Sequence, residues 1–94
     1  MFIEVVGDRF LPEDLDRDDV EDLLADCLGG NGEVTGAGSG MGGWHLDVEV
    51  DASVESLTDV VARLARALVE QGLGWVSLRV EGQPAGQPAS DLAG

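Results

Sequence analysis

The sequence predicts a small α+β domain in which a four-stranded antiparallel sheet carries two helices on one face. Three observations predict it. From residue 44 to 51 the chain alternates without a break, with Trp44, Leu46, Val48 and Val50 on one side and His45, Asp47, Glu49 and Asp51 on the other. That period of two is the mark of a strand buried on one side only. Two other segments repeat their apolar residues at helical spacing, and the elements follow one another as strand, helix, strand, strand, helix, strand.

The first strand is residues 2–6, ended by Gly7 and Asp8. Phe10, Leu11 and Pro12 then turn the chain into an acidic segment. Asp16 is placed to cap a helix, with Asp18, Asp19 and Glu21 in its first turn, where the helix dipole favours carboxylates. Val20, Leu23, Leu24, Cys27 and Leu28 recur at i, i+3, i+4, i+7 and i+8 and form one apolar face. Gly29 and Gly30 end it. On the opposite face Asp18, Asp22 and Asp26 are spaced i, i+4, i+8. Like charges at that spacing cost an isolated helix about 0.2–0.5 kcal/mol per pair. This row is either a solvated face or a docking surface for a basic partner.

The second strand is nearly without side chains. Of the eight residues from 36 to 43, five are glycine. Gly36, Gly38, Gly40 and Gly42 alternate, so one face of an extended chain there is bare, which permits close approach of a backbone or a ligand. The spacing of Gly38, Gly40 and Gly43 matches a dinucleotide fingerprint, but that motif requires a helix after it and here a strand follows. Gly38, Ser39, Gly40, Met41, Gly42, Trp44 and His45 are the candidate ligand-clasping residues of the hairpin; the alternative is a plain glycine-rich edge.

Ser53 is placed to cap the second helix, whose face is Val54, Leu57, Val60, Val61, Leu64 and Leu68, ending at Gly72. Residues 75–81 alternate again. Residues 82–94 contain Gly-Gln-Pro-Ala-type repetition and little apolar matter, so they are expected to form a flexible C-terminal tail behind a single domain at residues 1–81. A hairpin between two crossover helices is the ferredoxin-like βαββαβ pattern, with strand order 4-1-3-2 and both helices on one face. The uncovered face would then present Phe2, Glu4 and Val6, with His45, Asp47 and Glu49, and with Ser77, Arg79 and Glu81. Carboxylates facing one another across strands are unfavourable unless a cation or a partner intervenes. Phe2, Val6 and Trp75 would add apolar area, as an interface does.

Composition narrows the function further. Nineteen acids and five arginines in 94 residues give a net charge of −14, and there is no lysine. A P-loop is thereby excluded, and nucleic acid and anionic membranes are repelled. Basic partners, cations, salt adaptation or a GC-rich genome all agree with such a charge. The charge is uneven, however: the first 28 residues carry −8 of it, and the second helix only −1. One histidine and one cysteine cannot build a Cys/His metal cluster, a disulfide or a spare-part catalytic relay. His45 with Glu4, Asp47 and Glu49 is the one conceivable metal grouping. No basic leader precedes the first strand and no apolar run approaches a membrane span, so a cytoplasmic location is expected.

The run Gly38-Ser39-Gly40-Met41-Gly42-Gly43-Trp44-His45-Leu46-Asp47-Val48-Glu49-Val50, preceded by an acidic helix, resembles small acidic proteins of the bacterial toxin–immunity class. The resemblance covers residues 33–50. It implies a protein that acts by binding, without catalytic residues or cofactor, and a basic partner such as a nuclease toxin. Partner contact would fall on Asp18, Asp22 and Asp26, or on Glu4, Asp47, Glu49 and Arg79. The alternative is a small-ligand or metal-binding domain that dimerises through its open sheet.

Overall fold

The computed structural model describes residues 2–9, 11, 15–30, 32–40, 43–51 and 57–93. Its elements are β1 (Phe2–Gly7), α1 (Arg17–Leu28), β2 (Gly32–Gly40), β3 (Gly43–Val50), α2 (Leu57–Glu70), β4 (Ser77–Val80), β5 (Gln87–Pro88) and α3 (Ala89–Leu92). The sheet has five strands in the order β2-β3-β1-β4-β5, and each neighbouring pair is antiparallel.

This corrects the ferredoxin-like expectation of four strands in the order 4-1-3-2 with two helices. β5 pairs with β4, so β4 is not an edge, and α3 packs beside α2. Both added elements lie in the segment expected to be a loose tail. Their attachment uses backbone groups and the side chains of Ala89, Leu92 and Ala93, too few and too closely spaced to leave an apolar periodicity to read. The Ala89 N–H donates to the Val76 carbonyl at 2.8 Å and the Ser90 N–H to the Gly74 carbonyl at 3.0 Å. Ala89 itself is wholly buried, and Arg66 Nε donates to the Ala93 carbonyl at 3.4 Å.

The helix termini follow from local chemistry. Asp16 caps α1 reciprocally: its Oδ1 accepts from the Asp19 N–H at 2.9 Å, and Asp19 Oδ2 accepts from the Asp16 N–H at 3.1 Å. This capping box satisfies two otherwise orphaned donors. At the other end Gly29 adopts φ 57° and returns its N–H to the Ala25 carbonyl. α2 closes with a Schellman motif around Gly72 at φ 77°: the Leu73 N–H reaches the Leu68 carbonyl at 2.8 Å and the Gly72 N–H reaches Val69 at 3.0 Å. Leu68 and Leu73, which accompany that motif, are both fully buried. The expected cap Ser53, with Val54, Phe10 and Pro12, lies outside the described residues.

The helices cover one face of the sheet. Ile3 and Val5 of β1 sit between Val48 and Leu46 of β3 and Val80 and Leu78 of β4. With Val20, Leu24, Leu28, Val60, Leu64 and Leu68 they form one core, and among the described residues no polar or charged residue is buried. Trp44 closes one end of it. Its ring lies over Gly7, where a Cβ would overlap the indole, and its Nε1 donates to the Arg9 carbonyl at 3.2 Å. Trp75 stands edge-on to Trp44, with ring centroids 6.4 Å apart, and the Arg9 guanidinium covers Trp75 at 4.8 Å. Trp75 is thereby tied to the core's end, packed against Trp44.

Candidate functional site

The face of the sheet away from the helices collects the charged strand residues, and the register sets their spacing. Glu4 of β1 lies directly between Asp47 of β3 and Arg79 of β4. Phe2 is opposite Glu49, and Val6 is opposite His45. Arg79 Nε meets Glu4 Oε1 at 3.4 Å, and its NH1 donates to the Gln83 carbonyl at 3.0 Å. That arginine is already committed within the fold. No ion pair reaches Asp47 among the described residues.

β2 completes this face through an irregularity. Val34 is opposite Val48, but Gly36 is opposite Asp47, so Thr35 is an extra residue and the strand bulges there. A bulge reverses which side the following residues face. Without it the alternating glycines would follow Val34 onto the helix side. With it, Gly36 and Gly38 fall on the open face, opposite Asp47 and His45, and Ala37 and Ser39 fall on the helix side opposite Leu46 and Trp44, where both stay exposed. The bare glycine face is filled by the neighbouring strand's side chains. A Cβ on Gly36 would stand 3.1 Å from Asp47 Oδ2, and one on Gly38 would overlap the His45 imidazole. Both side chains therefore lean onto β2, the His45 ring over Gly38 and the Asp47 carboxylate beside Gly36.

Glu33, ahead of the bulge, is opposite Glu49 on the same outer face. The sequence did not single it out, because its side depends on where the bulge falls. Phe2, Glu4, Thr35, Asp47, Arg79 and Glu81 line a shallow concavity of about 610 Å³ there, and Phe2 is 46% exposed. A second concavity of about 340 Å³ lies at the hairpin end of the sheet, where Val6 and His45 of the open face meet Gly7, Ser39 and Trp44.

The hairpin candidates divide between the two faces. Gly38 and His45 lie on the open face. Ser39 is on the helix side, where its Oγ accepts from Arg17 NH1 at 2.6 Å, and Trp44 is buried there. Met41 and Gly42 lie outside the described residues. Asp18, Asp22 and Asp26 are all exposed on α1, in the other layer of the molecule. Asp22 and Asp26, with Asp19, border a groove of about 420 Å³ whose apolar wall is Leu15, Leu23 and Leu73. Cys27 is a half-buried free thiol; burial pushes its pKa up, with Asp26 and Glu70 adding to the rise and Arg63 opposing it. It is therefore a poor nucleophile.

Among the described residues no three His, Cys, Asp or Glu side chains are grouped to hold a metal ion, and no helix is long and apolar enough to cross a membrane. Fold and face together define an α+β domain with one helix-covered and one acidic sheet face. No protein-family model, curated protein or solved structure matches the chain.

Proposed function

We propose that the protein is an acidic protein-binding module that caps a basic site on a partner protein, in the manner of an immunity-type inhibitor of a nuclease. The observation that carries this reading is the open sheet face. There Glu4 opposes Asp47 and Glu33 opposes Glu49 directly across strands, with Arg79 as the counter-charge and Phe2 exposed among them. Directly opposed like charges destabilise a sheet. A basic partner would relieve that repulsion and add apolar contact at Phe2. Charge of this density also speeds association and makes it salt-sensitive.

The test is affinity capture at low and high salt with two sets of variants. Glu4→Gln with Asp47→Asn and Glu49→Gln removes the sheet charge, and Asp18→Asn with Asp22→Asn and Asp26→Asn removes the helix charge. Loss of one basic protein with the sheet set alone is the expected result. Capture that survives both sets, or no capture at either salt, would sink the reading.

A further inference from the structure

Among the described residues the outer edge of β2 faces no other strand, and no backbone hydrogen bond from another element reaches it. Natural sheets blunt such edges with charges, prolines, bulges or a covering element. β2 has a bulge at Thr35 and a charge at Glu33, both at its beginning. The five residues that follow, Gly36, Ala37, Gly38, Ser39 and Gly40, carry no charge and no proline. The edge is thus guarded at one end and open along the rest.

We propose that this open edge, residues 36–40 of β2, accepts an extended lysine- or arginine-bearing segment of a partner protein by strand addition. The segment's basic side chains lie across the glycine lane to Asp47. This deepens the basic-partner reading above and rests on it.

The geometry selects the partner's chemistry. An added strand would run about 4.8 Å beyond β2 and roughly 9–10 Å from β3. In most sheets the intervening strand's side chains would fill that gap on the open face. Here Gly36 and Gly38 have none: the exposed His45 imidazole lies over Gly38 and can turn aside, and Asp47 leans toward Gly36, with Oδ2 3.1 Å from where a Cβ would stand. The stem of a lysine or arginine bridges the remaining distance along the strand surface. Alternate residues of the incoming strand would point to the helix side, where Arg17 is already bound to Ser39. Small uncharged residues suit those positions. Main-chain bonds would supply affinity and the alternating basic residues specificity, the usual division in strand addition. A second copy of this chain is a poor occupant, since it brings −14 against −14.

The experiment titrates a labelled peptide alternating lysine and threonine into the full chain, followed by anisotropy and by amide NMR shifts. Two further peptides keep every charge but are N-methylated on one or the other alternate set of amides. The parent is expected to bind, with shifts concentrated on residues 36–40. One methylated peptide should lose about tenfold in affinity or more, and the other should match the parent, because only one set of amides faces β2. Asp47→Asn should weaken the parent by roughly three- to tenfold, as loss of a charge-assisted contact does. Asp18→Asn with Asp22→Asn and Asp26→Asn should change nothing. If both methylated peptides bind as the parent does, attraction is by charge alone, and strand addition is overturned while the basic-partner reading stands. Loss with the helix variants, equal loss with both methylated peptides, or no binding by the parent likewise overturns it.

Discussion

The two faces of the sheet are built on the same strands and obey opposite rules. Toward the helices stand Ile3, Val5, Leu46, Val48 and Leu78, none more than 2% exposed. Away from them stand Phe2, Glu4, His45, Asp47, Glu49 and Arg79, all at least partly accessible. Stability is therefore concentrated on one face. That leaves the other free to hold opposed carboxylates, whose mutual repulsion is softened by water and salt. An acidic face is tolerable on so small a domain because the core is elsewhere.

The contrast is broken most severely from the helix side. Leu46→Ala, at a fully buried position on a strand with neighbours on both sides, is expected to lower unfolding free energy by about 2–5 kcal/mol. Urea denaturation measures it directly.

A pair of glycines sharpens the comparison. A Cβ at Gly7 would overlap Trp44, and a Cβ at Gly38 would overlap His45. The two clashes are equivalent in distance and unequal in consequence. Trp44 is held by the core, by Trp75 and by its bond to Arg9, so it cannot yield, and Gly7→Ala is expected to cost about 1–3 kcal/mol. His45 is exposed and can turn aside, so Gly38→Ala should stay within about 0.5 kcal/mol of the parent. Equal losses in the two variants would mean that the open face is packed as tightly as the covered one.

Ala89→Glu probes the fifth strand and third helix. A carboxylate at this fully buried site would expel the segment at a cost of about 1–3 kcal/mol. Hydrogen exchange should then show the Ala89 and Ser90 amides losing protection, since their partners Val76 and Gly74 are left behind.

What the sequence made legible follows the same division. β3 announces itself because every second residue is apolar, and α1 because Asp16 and its apolar stripe agree on where the helix starts. Side chains of strong character carry those signals. The features that escaped reading are made of backbone and small residues: the bulge at Thr35, and the docking of Ala89. A one-residue shift in pairing reverses every side that follows it, and nothing in Val34, Thr35 and Gly36 marks where the shift falls. For the same reason Glu33 could not be assigned to the acidic face, whereas Glu4, Asp47 and Glu49 could.

The smallest expected effect bears most directly on function. Asp47 opposes Glu4 across β1 and β3, and Glu4 alone of the two has Arg79 beside it. Replacing Asp47 by Asn removes a repulsion without changing shape. The variant should therefore be more stable than the parent by about 0.2–1 kcal/mol at low salt. The gain should shrink as salt screens the pair. Thermal melts of both proteins across a salt series would measure it. A gain in stability coupled with weaker binding of a basic partner means that the carboxylate is kept against the interest of the fold. A loss of stability instead would mean that Asp47 is paired within the sheet and is not available to a partner.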